Sequence, residues 1–207
     1  MADNYLEKRY EEVFGSGSGK TVVRRVNPSL ENLMFRTRSA RVYDNNYEVM
    51  QAQLEAVVRV NGLVASARNQ QMLRFKILTR RSGSEKMQGL YRLSGSVPDP
   101  AVAPEAFIII CAAGETRYVD IDLGISAQSM ALKATELGLQ SIIIASFDAP
   151  AVKEAFGLSL EPLLVMAFGK GLEKFGLVPA GAEDNLRYYE KDGVHCVPKL
   201  KLSEILL

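Results

Sequence analysis

The sequence predicts an α+β fold, in which long helices pack on a sheet of modest size. The chain has 207 residues, of which 47% are hydrophobic and 24% charged, as expected for a protein that buries one large core. Short β-branched runs that predict strands alternate with longer stretches that have the apolar spacing of helices. The 25 basic and 24 acidic residues nearly balance, which excludes the strongly basic surface typical of nucleic-acid-binding proteins.

The N-terminal residues 1–26 are predicted to be separate from the main domain, residues 27–207. Apolar spacing from Asn4 onward predicts a helix that ends at Gly15. The glycines and serines of residues 15–19 are typical of a flexible linker. These N-terminal residues include no apolar segment of the kind that a secretory signal needs, and we therefore expect a cytoplasmic protein.

The residues after the linker resemble a phosphate-binding loop only in part. Gly19, Lys20 and Thr21 match the end of such a loop, but Phe14 stands where its first glycine belongs. A nucleotide-binding protein that uses Lys20 is therefore an alternative that the spacing disfavours.

The main domain begins with two predicted helices, one starting at Asn27-Pro28 and one running from Tyr47 to Ala65. The glycine-, serine- and proline-rich stretch 80–104 is typical of a functional loop and carries Tyr91 and Arg92 as candidate substrate contacts. Short apolar runs predict strands at 75–78, 107–110, 141–144, 163–168 and, near the C-terminus, 194–197.

A central helix is predicted from Asp120 to Leu137, with apolar residues on nearly every side. A helix of this kind is buried in a core or shared between subunits. Its many small residues would let a second helix approach closely, so we expect a homodimer with this helix near the interface.

Three groups of polar residues are candidates for binding a ligand. Arg38 and Arg41, with Ser39 between them, can surround a phosphate, although a solvated helix end would have the same composition. Asn69 and Gln71 can each donate and accept hydrogen bonds, as the edge of a heterocycle requires, or they can cap a loop. Lys199 is by itself an ordinary surface lysine. The single histidine, His195, and two cysteines offer neither a catalytic triad nor the spacing of a metal site.

Read in chain order, these segments resemble motifs of the FMN-dependent nitroreductase family. Residues 38–43 (RSARVY) resemble its opening Arg-Arg-Ser-x-Arg motif, and residues 65–71 (ASARNQQ) are similar to its Pro-Ser-Ala-x-Asn-x-Gln loop. Residues 122–129 (DLGISAQS) resemble the start of its central helix and residues 138–141 (GLQS) the end. Lys199 stands where the family has a terminal basic residue.

The resemblance implies an antiparallel-rich central sheet flanked by long helices, in an interlocked homodimer with one FMN at each subunit interface. Arg38, Ser39 and Lys199 would hold the FMN phosphate, and Arg41 would lie near the N1 edge of the flavin. The remaining expected cofactor contacts are Ser66, Asn69 and Gln71 at the pyrimidine edge and the backbone of Ala145 and Ser146 near N5.

The implied function is an FMN oxidoreductase with ping-pong kinetics. Hydride would pass from NAD(P)H to flavin N5, and a nitroaromatic, quinone or similar acceptor would then take two electrons. Because the flavin carries the reaction, no catalytic side chain is expected. The balanced charge, the absence of a long apolar run and the histidine and cysteine pattern lead us to expect no nucleic acid, membrane or metal partner. Met72-Leu73 replaces the usual Pro-Trp, and residues 144–147 (IASF) replace a Gly-Gly pair. These departures leave a flavin-binding or sensing module without turnover as the alternative.

Overall fold

The computed structural model describes residues 29–96 and 98–207. The predicted N-terminal helix, the linker, Lys20 and the Asn27-Pro28 helix start lie outside these ranges. The helices within them are α1 (Leu30–Arg36), α2 (Gln51–Val58), α3 (Val119–Glu136), α4 (Ala149–Ala155) and α5 (Leu202–Ile205). The strands are β1 (Leu73–Leu78), β2 (Ala106–Ala112), β3 (Gln140–Ile144), β4 (Pro162–Gly169), β5 (Lys174–Ala180), β6 (Tyr189–Lys191) and β7 (Val194–Leu200).

The central sheet has the order β1-β2-β4-β3, and all its neighbouring strands are antiparallel. The four strands predicted for this sheet are confirmed, as is the α+β class with an antiparallel sheet. In β2, Ile108 and Ile110 point into a core that α2 and α3 cover, whereas Phe107 and Ile109 point into a second core that α4 covers. Because successive side chains alternate between two buried faces, β2 reads as a continuous apolar run.

Helix α3 confirms the predicted central helix to within one residue at each end. Its buried face includes Met130 and Ala134, which pack in the core with Leu54 of α2. Ile121, in its first turn, is 59% exposed. The prediction that this helix is buried on every side is therefore wrong for the single chain. The homodimer, in which the exposed residues would be covered by a second subunit, stays a prediction.

The predicted helix from Tyr47 to Ala65 is shorter than expected. It begins at Gln51, because the side chain of Gln53 accepts a hydrogen bond from the Met50 N–H and so caps the helix (2.9 Å). It ends at Val58 and continues as a 3₁₀ turn, Arg59–Gly62, in which the Asn61 amide donates to the Val58 carbonyl (2.8 Å). An asparagine that bonds a nearby carbonyl in this way competes with the regular helix.

Part of the loop 80–104 packs against the central sheet. It contains three short 3₁₀ turns and places Tyr91 and Met87 in the second core. The Tyr91 ring is fully buried and meets Phe107 edge to face, with 5.4 Å between centroids. Tyr91 therefore serves as a packing residue in this chain, and the expectation that it contacts substrate is wrong.

A second sheet of three strands, in the order β5-β7-β6, follows the central sheet along the chain. β7 pairs with β5 in parallel and with β6 in antiparallel fashion. The predicted C-terminal strand is confirmed and extends to Leu200, whereas β5 and β6 had no clear signal in the sequence. Both are mostly half-buried or exposed, so neither carries the apolar run that marks the central strands.

Candidate functional site

Residues 36–43, the arginine segment, leave α1 and run beside the start of β3. Ser39 pairs with Ser141 in a parallel bridge, and the Ala40 N–H donates to the Ser141 carbonyl (3.2 Å). Further along, Tyr43 forms an antiparallel bridge with Gly171, just after β4. The segment is thus attached to the edge of the central sheet although it is not a regular strand.

Glu173 holds the middle of this segment. One oxygen of its carboxylate accepts hydrogen bonds from the backbone N–H groups of Arg41 and Val42, the second at 3.0 Å. Tyr43 is fully buried beyond it and donates its hydroxyl to the Ala40 carbonyl (2.7 Å). Burial, followed by the negative charge of Glu173, raises the pKa of Tyr43 well above its ordinary value. Glu173 belongs to none of the sequence motifs, and nothing in its neighbours along the chain indicates this role.

Arg38 lies at a small cavity of about 220 Å³ between the arginine segment and the end of α3. Its Nη2 donates to the Met34 carbonyl, and partial burial lowers the pKa of the guanidinium from its ordinary value. The Nε atoms of Arg38 and Arg41 are buried and have no hydrogen-bond partner among the described residues. Two buried donors of this kind favour an anionic acceptor. The cavity is also lined by Thr135, Gly138, Gln140, Lys170 and Glu173.

The amide loop, residues 65–71, lies at the opposite end of α3. Asp122, in the first turn of that helix, accepts hydrogen bonds from the Ser66 hydroxyl (2.8 Å) and the Ala67 N–H (2.9 Å). Ser66 in turn accepts from the Gln71 N–H (2.9 Å), which closes the loop on itself. Three residues of the loop, Arg68, Asn69 and Gln71, have positive φ angles of 53°, 55° and 48°. Such a backbone persists only where surrounding contacts hold it, and the buried Asp122 provides them.

Asn69 and Gln71 lie together at the surface of this loop. The Gln71 amide donates to the Asn69 side-chain oxygen (3.1 Å), and both side chains are exposed. Gln71 also lines a cavity of about 460 Å³, together with Asn61, Ser66, Met72, Asp122 and Ser126. The Asn69 amide nitrogen and the Gln71 side-chain oxygen remain available, so the loop offers both a donor and an acceptor beside a large cavity.

The other predicted contacts are more dispersed. Ala145 and Ser146 follow β3 and are exposed, and the Ser146 carbonyl accepts a hydrogen bond from the Arg92 N–H (2.8 Å). Lys199 is exposed on β7, where it pairs with Pro179 of β5. None of these three predicted contacts lines the cavity beside Arg38 or the cavity beside the amide loop.

One chain therefore carries two separate half-sites. Thr135, beside Arg38, and Asp122, beneath the amide loop, are 13 residues apart on α3, which corresponds to about 20 Å along the helix axis. The half-site at Arg38 has guanidinium groups, and the half-site at Asn69 has amides and an open cavity.

The sequence matches the model of the nitroreductase family over residues 97–170, which include β2, α3, β3, α4 and β4. A nitroreductase family protein from Clostridium difficile 630 has a similar structure, with 25% identity, a TM-score of 0.59, and coverage of 70% of this chain and 86% of that chain. The resemblance to the nitroreductase family is confirmed. The arginine segment, the amide loop and Lys199 lie outside the matched residues, so the roles of these nitroreductase-like segments stay predictions.

Two more distant structures have the same nitroreductase fold. A nitroreductase family protein from Streptococcus pneumoniae TIGR4 is 17% identical, with a TM-score of 0.61 and coverage of 70% of this chain and 92% of that chain. An FMN-dependent nitroreductase from C. difficile R20291 is 22% identical, with a TM-score of 0.59 and coverage of 70% and 89%. Among curated proteins, none matches the sequence. In the described ranges, no helix has the length and apolar character to cross a membrane.

Proposed function

We propose that this nitroreductase-like chain is an FMN-dependent oxidoreductase that takes electrons from NAD(P)H and reduces nitroaromatic, quinone or similar acceptors. The observation that carries the proposal is the pair of half-sites at opposite ends of α3. One matches the phosphate end of FMN and the other matches the edge of its ring. The C. difficile R20291 structure with the same fold, described as FMN-dependent, supports this choice of cofactor.

The arginine segment fits a phosphate group. The buried Nε atom of Arg38 lacks a partner among the described residues, and guanidinium groups bind phosphate oxygens with two parallel hydrogen bonds. Ser39, at the same edge of the sheet, would add a neutral hydroxyl donor. Lys199, which lines neither of the two cavities, would complete the phosphate contacts from the second sheet.

The amide loop fits the pyrimidine edge of the flavin, where carbonyl and N–H groups alternate. The available Asn69 nitrogen and Gln71 oxygen supply one donor and one acceptor, and Asp122 fixes the backbone that carries them. The adjacent cavity of about 460 Å³ has room for a flat ring. We propose that Ala145 and Ser146, which are exposed after β3, line the N5 side.

Bound FMN would supply two-electron transfer between a reduced nicotinamide and an acceptor. The chain's own residues would bind and orient it. Arg41 has its guanidinium carbon 5.2 Å from the Tyr188 ring centroid and also donates to the Ser39 carbonyl (3.0 Å). A cation held in this way stabilises negative charge that develops nearby without having to reorganise.

Each cofactor would receive the arginine segment from one subunit and the amide loop from its partner. This arrangement requires a homodimer. It can be tested by complementation between Arg38→Ala and Asn69→Ala chains that carry different affinity tags. After tandem purification, each heterodimer has one site with both substitutions and one with neither. We expect it to bind FMN at about half the wild-type stoichiometry, whereas both mutant homodimers bind poorly.

Complementation fails if Arg38 and Asn69 of the same chain contact the same cofactor, because every heterodimer site then carries one substitution. Arg81→Ala is the matched control. Arg81 is an exposed arginine paired with Glu48, away from both half-sites, and we expect its replacement to leave FMN binding unchanged. Colourless wild-type protein that takes up no added FMN would contradict the proposal as a whole.

Turnover is tested separately from binding. FMN-loaded protein mixed with NADH or NADPH should lose its flavin absorbance and recover it when a quinone or nitroaromatic is added. If the flavin stays oxidised with both donors, the chain is instead a flavin-binding module without turnover.

A further inference from the structure

A basic cleft adjoins the amide loop and has no role in the arrangement above. It measures about 360 Å³ and is lined by Arg68, Gln70, Thr116, Arg117 and Tyr118. Gln70 also lines the larger cavity beside Gln71, so the two spaces are neighbours. The cleft lies where the loop meets the segment that leads into α3.

Two arginines approach the same aromatic ring in this cleft. The guanidinium carbon of Arg117 is 4.6 Å from the Tyr118 ring centroid, and that of Arg68 is 6.0 Å from it. The Tyr118 ring thus orients both cations through its π face. Arg68 is further constrained because its backbone has a positive φ and follows Ala67, whose N–H is bound by the buried Asp122.

Neither arginine has its charge neutralised within the described ranges. The ion pairs there involve other arginines and lysines, and the lining of the cleft contains no aspartate or glutamate. Glu115 and Asp120 flank the cleft along the chain, but they are exposed and form no ion pair with either guanidinium. Both oxygens of Asp122 are already used by the amide loop. Two cations with an amide and a hydroxyl beside them form a set dominated by hydrogen-bond donors.

We propose that Arg68 and Arg117 form an anion subsite that binds a phosphate group of the nicotinamide dinucleotide. This inference rests on the proposed function, which requires such a substrate to reach the cavity beside the amide loop. Paired guanidinium groups match the several oxygens of a phosphate better than a single ammonium does. The subsite would hold the donor through side chains other than those proposed to contact the flavin.

The test measures nucleotide binding by isothermal titration calorimetry with the full chain, without following turnover. The probe is adenosine 2′,5′-bisphosphate, and we expect Arg68→Ala and Arg117→Ala each to weaken its binding by about tenfold or more. Arg81→Ala, which removes an exposed arginine elsewhere, should leave the affinity unchanged. Arg117→Lys keeps the positive charge but loses the planar guanidinium, so we expect it to bind the probe with intermediate affinity. Because this conservative variant is unlike the alanine variants in keeping a long basic side chain, its result separates a loss of binding from a loss of folding.

A second probe, adenosine 5′-diphosphate, identifies which phosphate is bound. Arginine-dependent binding of both probes indicates the diphosphate bridge, whereas binding of the 2′,5′-bisphosphate alone indicates the 2′-phosphate of NADPH; either result supports the subsite. Affinities that are equal in wild type, Arg68→Ala and Arg117→Ala would overturn it. So would arginine-dependent binding of terephthalate without binding of either nucleotide, because the cleft would then take a carboxylate.

The two proposals can fail separately. If the nucleotide probes bind in an arginine-dependent way but the protein takes up no FMN, the subsite stands and the flavin function is wrong. If FMN binds and is reduced, but the affinity for the nucleotide probes is the same with and without the two arginines, the flavin function stands and the subsite is wrong.

Discussion

Asp122 is the residue on which the amide loop depends, and replacing it with alanine should destabilise the protein by about 2–4 kcal/mol. The carboxylate accepts two hydrogen bonds, from the Ser66 hydroxyl (2.8 Å) and the Ala67 N–H (2.9 Å), and it is buried. A hydrogen bond to a charged group contributes about 1.5–3 kcal/mol. Two such bonds would together contribute about 3–6 kcal/mol. We expect a smaller loss, because Ser66 and Ala67 are only half-buried and water can replace part of the lost hydrogen bonding.

The free energy of unfolding, measured by urea denaturation, checks this value, and an FMN titration measures the effect on the loop. We expect FMN affinity to fall as well, since Arg68, Asn69 and Gln71 hold left-handed backbone conformations only while the loop is fixed. Asp120→Ala is the matched control. It removes an exposed acid from the same helical turn and should cost no more than about 0.5 kcal/mol. Equal stability and FMN affinity in wild type and Asp122→Ala would refute the reasoning.

Three further outcomes follow from single contacts. Gly169→Ala should destabilise by about 1–3 kcal/mol, because its Cβ would lie 2.6 Å from Tyr43 Cδ1; Gly62→Ala, where a Cβ meets nothing within 4 Å, is the control in the same thermal melts. Burial raises the pKa of the Cys111 thiol, so its stabilisation is complete below the unfolded pKa of about 8.5 and is lost as the pH rises. Unfolding free energies between pH 7 and 10 should therefore fall more steeply for wild type than for Cys111→Val. Glu173→Ala should weaken FMN binding by about tenfold, because the backbone N–H groups of Arg41 and Val42 lose their acceptor, and a titration that finds no change would contradict this role.

The central sheet and its main helix could be predicted because their signals are local. The isoleucine runs of β2 and β3 have strand composition, and α3 has an uninterrupted helical pattern between clear ends. Both predicted ends of the helix from Tyr47 to Ala65 are wrong, because side-chain hydrogen bonds set the observed ends. The Gln53 side chain accepts from the Met50 N–H at the start, and the Asn61 amide donates to the Val58 carbonyl at the end. Strands β5 and β6 had no such signal, since their exposed or half-buried residues need not be apolar.

The candidate site could be predicted only in its parts. The sequence order indicates which segments carry guanidinium and amide groups, but not that α3 separates them by about 20 Å. The basic cleft was missed for a related reason. Arg68 and Arg117 are 49 positions apart, and only the fold brings both to the ring of Tyr118.

Two acidic residues show how this scaffold holds binding segments that are not themselves regular structure. Asp122 binds the amide loop through a hydroxyl and a backbone N–H, and Glu173 binds the arginine segment through two backbone N–H groups. Three of these four donors are main-chain N–H groups and the fourth is the Ser66 hydroxyl, so most of this attachment does not depend on the side chains of the two segments. Apart from Ser66, the side chains of the two segments donate no hydrogen bond to Asp122 or Glu173. Because Asp122 and Glu173 hold the segments that carry the proposed ligand contacts, replacing either of them should weaken binding as much as replacing one of those contacts.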